Sequence, residues 1–137
     1  MSPDRFPRRL PQPTAPALKR LKKRDDFLRA QRGVRRSEPG LTLETCVTPD
    51  HGTEIRIGFT ASRKVGNAVA RNRAKRRLRA AAAALIPLYG LEGHDYVLVA
   101  RPATLTRPYA GLLEDLQRAL RAAHAKLAAA KPGGPSA

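Results

Sequence analysis

The sequence predicts a single α+β domain with elements in the order α-β-β-α-β-α and room for one more short strand near Thr60. Three observations carry that reading. Residues 41–47 and 55–60 alternate apolar and polar side chains with the period of two expected of half-buried strands. Residues 67–86 are rich in alanine, with no internal proline or glycine, as a long helix requires. Residues 96–100 (YVLVA) form an unbroken apolar run, suited to a central strand buried on both faces, and a second amphipathic stretch follows it.

The elements follow in order. Residues 1–18 hold Pro3, Pro7, Pro11, Pro13 and Pro16 among few apolar residues. Such a segment cannot bury enough surface to offset its ordering entropy, so a disordered proline-rich basic arm is expected. The charge turns strongly positive at Lys19, after which Asp25 or Asp26 is placed to cap a short helix carrying Phe27, Leu28, Ala30 and Gln31 and ending at Gly33. In the first strand Leu41, Leu43, Thr45 and Val47 share one face; in the second, Ile55, Ile57 and Phe59 oppose Arg56, Gly58 and Thr60. Pro49, Asp50, His51 and Gly52 between them read as a hairpin loop. Asn67 is the expected cap of the long helix and Pro87 its expected stop. The last helix, over residues 109–130, aligns Leu112, Leu116, Leu120, Ala123 and Leu127 on one stripe. Residues 19–130 thus make one domain, and 131–137 (KPGGPSA) an expected disordered tail.

Charge narrows the class of partner. The chain carries 27 Lys+Arg against 11 Asp+Glu, a formal net charge of +16. An excess of this size repels itself unless a polyanion is bound, which makes nucleic acid the default partner. A membrane surface is also anionic, but the longest uncharged stretch, residues 80–91, falls well short of the roughly 20 apolar residues that a span needs. The N-terminus has no apolar core of a secretory signal, so a cytoplasmic protein is expected. The single cysteine, Cys46, cannot close an intramolecular disulfide and has no metal-ligand spacing around it.

The cations are concentrated. Between Ile55 and Leu91 there is no acidic residue, while Arg56, Arg63, Lys64, Arg71, Arg73, Lys75, Arg76, Arg77 and Arg79 all fall there. A solvated helix normally interleaves Glu with Lys or Arg at i,i+4; here neighbouring cations repel with nothing local to offset them. On a helical wheel Ala70, Ala74, Leu78, Ala81 and Leu85 form one stripe, and Asn72, Arg73, Lys75, Arg76 and Arg79 spread over the opposite arc. Arg71 and Arg77 flank the stripe, where their stems can cover apolar surface. Ahead of the helix, Gly66 and the free amides at the helix start make a ready anion site beside Arg63 and Lys64.

The run SRKVGNAVARNRAKR over residues 62–76, with Arg71, Asn72 and Arg73 at its centre, resembles the signature of the bacterial ribonuclease P protein family. RLKKRDDF at 20–27 and DYVLVARP at 95–102 extend the resemblance over roughly residues 19–125. It implies a two-layer α/β sandwich with a mixed sheet, in which the strands flanking the signature helix are parallel and joined by a left-handed crossover. It also implies that the helix containing Arg71, Asn72 and Arg73 touches a catalytic RNA; together with the charge pattern this makes Arg63, Lys64, Asn67, Arg71, Asn72, Arg73, Lys75, Arg76 and Arg79 the expected RNA-binding residues. A cleft between the first helix and the sheet would receive the single-stranded 5′ leader of precursor tRNA. By the same resemblance Phe27, Gln31, Leu43 and Val99 would line that cleft, with Arg71 and Asn72 at its edge. Family members often carry further aromatics where this chain has Gln31 and the 43–44 region, so the expected cleft has fewer rings. A plain core role is the other reading of Phe27.

No constellation for protein-based hydrolysis is visible. The acids read as helix-start and loop residues, His51, His94 and His124 are isolated, and there is no phosphate-binding glycine loop. The expectation is a subunit of an endoribonuclease in which RNA and Mg²⁺ do the chemistry, with no protein-ligated metal and no obligate protein partner. A small ribosomal or general RNA-binding protein is the alternative with the same charge; an autonomous nuclease or a DNA-binding helix fits less well.

Overall fold

The computed structural model describes residues 18–47 and 54–130. Its elements are β1 (Leu18–Arg20), α1 (Arg24–Gln31), β2 (Val34–Ser37), β3 (Leu41–Val47), β4 (Ile55–Thr60), α2 (Ala68–Tyr89), β5 (His94–Ala100), a 3-10 turn (Pro102–Leu105) and α3 (Tyr109–Ala130). The strands form one mixed sheet in the order β1-β4-β5-β3-β2. β4 and β5 run parallel through α2, β1 is parallel to β4, and β3 is antiparallel to both β5 and β2.

The α+β class and the mixed sheet stand as expected, and α3 has the expected bounds. α2 and α3 pack side by side on one sheet face. Leu78, Ala81, Ile86, Leu116 and Leu120 meet Leu41, Leu43, Ile55, Tyr96 and Leu98 there in a continuous buried core. On the opposite face the short α1 covers a smaller cluster of Leu21, Ala30, Cys46 and Val97, with Phe27 and Val99 half-buried against it. β5, the middle strand, has both faces covered. Tyr96 and Leu98 enter one cluster and Val97 the other, as the apolar run required.

Four local expectations are corrected. The two alternating segments do not form a hairpin: β5 lies between β3 and β4, which fill its two edges in opposite directions. Residues 49–52 lie outside the described residues. Among the described residues a hairpin joins β2 to β3, turning at Glu38–Gly40, where the Glu38 amide donates to the Leu41 carbonyl at 2.8 Å. Two strands, β1 and β2, were not expected, and the extra strand near Thr60 is not formed. Leu18 belongs to β1 rather than to a disordered arm; residues 1–17 and 131–137 lie outside the described residues.

The helix ends differ too. Neither Asp25 nor Asp26 caps α1. Lys23 takes the N-cap position without a side-chain bond, and both acids fall in the first turn, where they favour the helix dipole. Asp26 is occupied elsewhere, by Arg29 and Arg56. Pro87 does not end α2 but sits inside its last turn; the Gly90 amide still reaches the Ile86 carbonyl at 2.7 Å. Proline lacks one donor and crowds the preceding turn, which near a helix end leaves the residues behind it free to remain helical.

Candidate RNA interface

Asn67 caps α2 as expected, its Oδ1 accepting from the Ala70 amide at 2.9 Å. Gly66 immediately before it sits at φ 143°, where glycine is strongly favoured. The cap fixes the start of α2 next to exposed Arg63 and Lys64. Ala74, Leu78 and Ala81 are buried against the sheet, which turns Asn72, Arg73, Arg76 and Arg79 outward, with Arg71 and Lys75 half-buried beside them. Among the described residues, none of Arg63, Lys64, Arg71, Arg73, Lys75, Arg76 and Arg79 has an acidic partner within 4.0 Å. Asn72, Lys75, Arg76 and Arg79 line an open groove of about 460 Å³ with Val69. Arg77 is different. Its guanidinium donates to the carbonyls of Leu105 and Arg107, tying α2 to the segment before α3.

On the other sheet face, Phe27 projects from α1 over β4. A β-carbon at position 58 would stand 2.5 Å from its ring, so glycine is what lets the ring lie against the strand. Beside the ring is a small cavity of about 80 Å³, which Lys75 and Arg79 of α2 also line. The cationic face and the aromatic ring are therefore neighbours around the edge of β4. Behind Phe27 a charged network fastens α1 to the sheet. Arg56 donates to both carboxylate oxygens of Asp95 at 2.8 Å each, and Asp26 lies 3.5 Å from Arg56 and 2.9 Å from Arg29. Burial, helped by the nearby Asp95 carboxylate, pushes the Cys46 thiol up to about 11, so it stays protonated and unreactive. Burial also raises the Glu44 carboxyl, an effect that Arg35 partly offsets.

The family model described as Ribonuclease P matches residues 15–124. The chain is 56% identical over 108 residues to the Ribonuclease P protein component of Ruegeria pomeroyi, covering 77% of this chain and 86% of that one. It is 50% identical over 113 residues to that of Paramagnetospirillum magneticum, covering 78% and 84%. The chain belongs to the ribonuclease P protein family. Its fold agrees with the solved structure of the Staphylococcus aureus RNase P protein, with a TM-score of 0.63 at 27% identity, covering 76% of this chain and 94% of that one. As a ribonuclease P protein it is a component of an endoribonuclease that contains an RNA subunit and acts in tRNA processing.

Of the expected RNA-facing residues of this ribonuclease P protein, Asn72, Lys75, Arg76 and Arg79 line one groove, Arg73 is exposed on the same helix, Arg63 and Lys64 are exposed just ahead of it, and Asn67 spends its side chain on the cap. The expected cleft residues do not all meet. Phe27 and Val99 share one cluster, and Gln31 is exposed at the end of α1. Leu43 is fully buried in the core under α2 and α3, on the opposite sheet face. The correction follows from the strand period. Residues 42, 44 and 46 face α1, and Thr42 and Glu44 pair with Val99 and Val97. The α2 side chains that line the cavity beside Phe27 are Lys75 and Arg79, one and two turns beyond the expected Arg71 and Asn72.

Asp25 and Asp26 stand at a helix start as expected, but Glu44 and Asp95 lie in strands. Asp26, Glu38, Glu44, Asp95 and Asp115 are buried, and each is held by arginine. Asp115, for instance, accepts from the Arg107 Nε at 2.6 Å and from the Gly40 amide at 2.9 Å. This segregation leaves the α2 cations uncompensated. Among the described residues no group of three or more His, Cys, Asp or Glu is placed to hold a metal ion, so the donor set does not fit a carboxylate metal cage. No helix in the described residues is long and apolar enough to cross a membrane.

Proposed function

We propose that this ribonuclease P protein binds the catalytic RNA through the α2 face and the 5′ leader of precursor tRNA beside Phe27, and so assists removal of the leader. The observation that carries the reading is the cationic face itself: seven Lys and Arg side chains without acidic partners among the described residues, bordering a half-buried ring. Arginine predominates there, and its planar fork grips phosphate in a bidentate way that lysine cannot match. The RNA and Mg²⁺ supply the hydrolysis. Arg63, Lys64, Arg71, Arg73, Lys75, Arg76 and Arg79 neutralise phosphate repulsion, which favours the folded RNA and raises the local concentration of substrate. Asn67 orders the start of α2, Asn72 adds an amide to the same surface, and Phe27 with Val99 gives the leader an apolar wall. The complex works in the cytoplasm and needs no second protein.

The test is the affinity of the complex between this protein and its cognate catalytic RNA for precursor tRNA and for mature tRNA. Tighter binding of the precursor, abolished when the protein is left out, is the expected result. Equal affinity for both would remove the leader-binding part of the proposal.

A further inference from the structure

β1 covers only part of β4. Their pairing stops at Arg20 opposite Ile57, where the Leu21 amide donates to the Ile57 carbonyl at 2.9 Å. From Gly58 to Thr60, β4 keeps β5 as its only strand neighbour among the described residues. At this uncovered edge Phe59 turns toward α2, on the sheet face opposite Phe27, and the Arg79 guanidinium lies over its ring at 5.3 Å from the centroid. A cavity of about 240 Å³ opens here between β1, β4 and α2. Ile57, Phe59, Ala82 and Ala83 give it apolar walls, and Arg20 and Arg79 stand in its lining with no acidic partner among the described residues. Lys19, also in the lining, meets Glu54 only at 3.8 Å with both side chains half exposed.

We propose that this slot holds one unstacked base of the single-stranded 5′ leader, stacked on Phe59 and Arg79, with its phosphates between Arg20 and Arg79. The inference rests on the leader-binding reading above and extends it to a second site on the other side of β4. Three features select this occupant. The slot has room for one planar base and none for a duplex. An aromatic ring under a guanidinium, with cations beside it, is the composition that suits single-stranded nucleic acid. The slot also adjoins the cavity beside Phe27, since Arg20, Ile57, Phe59 and Arg79 line both. A strand leaving Phe27 therefore passes around the open edge of β4 into the slot. Phe59 supplies the second ring that the α1 cleft lacks.

The experiment measures the affinity of the complex with the cognate catalytic RNA for a series of precursors of increasing leader length and for mature tRNA. It compares the unaltered protein with Phe59→Leu, which keeps apolar bulk against the core. Phe59→Leu should bind long-leader precursors about tenfold more weakly, within what one base stack contributes, and should bind mature tRNA as before. Arg79→Lys, which keeps the charge but loses the planar group, should show part of that loss. Leader discrimination by the unaltered protein that survives intact in a folded Phe59→Leu overturns the slot and leaves the leader-binding reading standing. Absence of leader discrimination in the unaltered protein overturns both. An equal loss on mature tRNA, or a lowered melting temperature with leader discrimination unchanged, assigns the ring to the catalytic RNA or to packing of the chain's own N-terminal segment, and overturns the slot as well.

Discussion

The ring of Phe27 rests on Gly58: a β-carbon at that glycine would lie 2.5 Å from Cε1 and 2.6 Å from Cζ. Both atoms belong to a ring packed between α1 and the sheet, so it cannot swing aside as the tip of a flexible side chain would. Gly58→Ala should displace Phe27 outward and cost about 1–3 kcal/mol of stability through overpacking. It should weaken binding of leader-bearing precursors while sparing the affinity for catalytic RNA, whose phosphates meet α2. Urea unfolding and the two affinities check this; equal loss on both RNAs would mean that Phe27 serves only the core.

Arg56 and Asp95 form a bidentate pair between neighbouring strands, with the Asp95 side chain fully buried. Asp95→Ala should cost about 3–5 kcal/mol, because it removes the bidentate carboxylate from a part-buried guanidinium whose contact with the Asp26 carboxylate is longer, at 3.5 Å. Replacing both partners by apolar residues of similar volume should recover much of the loss, as denaturant titration of the single and double variants would read.

Arg77 and its neighbours separate structural from RNA-binding cations. Replacing Arg73 and Arg76 together should flatten the dependence of log affinity on log salt by about two units or somewhat less, since each phosphate contact contributes roughly 0.9. Arg77→Ala should leave that slope almost unchanged and instead destabilise the fold by about 2 kcal/mol, through loss of two charged hydrogen bonds to the carbonyls of Leu105 and Arg107. An unchanged slope in the double variant would contradict the assignment of the α2 face.

His124 links stability to pH. Burial first, and the neighbouring His94 second, hold its pKa below the ordinary 6.5. Its Nε2 lies 2.7 Å from the Tyr96 hydroxyl, which burial pushes up to about 12 and which also accepts from the Leu91 amide. The unfolded chain takes up the proton at the ordinary value and the folded chain only at a lower one. Stability should therefore begin to fall as pH drops through about 6.5, and the loss should be complete once pH is below the folded value. Glu44, with its raised pKa, acts with the opposite sign nearer the carboxylate range, stabilising the fold as pH falls there. His124→Gln should remove the decline just below pH 6.5 in thermal melts; a decline of the same size in that variant would assign it to another group.

Much of this was legible in the sequence because it rests on periodicity and composition. The 3.6-residue stripe of α2 separated Ala74, Leu78 and Ala81 from Arg73, Arg76 and Arg79, and the structure buries the first set and exposes the second. Strand pairing was not legible. Period two says which residues share a face but not which strand lies alongside, so β5 between β3 and β4 came as a correction. β1, with three exposed residues, and β2, reading VRRS, carry no apolar alternation to announce them. The misassigned Leu43 has the same origin, since a shift of one residue moves a strand side chain to the other face. The buried acids were missed because Asp95 and Glu44 lie in strands where only the cross-strand partner reveals an arginine. Phe59 was placed on the right face by its alternation with Gly58 and Thr60, but its value to the site depends on how early β1 ends.

The most direct measurement is cleavage of a precursor tRNA at low Mg²⁺ by the cognate catalytic RNA, with and without this protein, beside the protein alone. The account predicts cutting at the 5′ junction by the pair, where neither component cuts by itself. Unaided cutting by the protein, or no change when it is added to the RNA, would contradict the account.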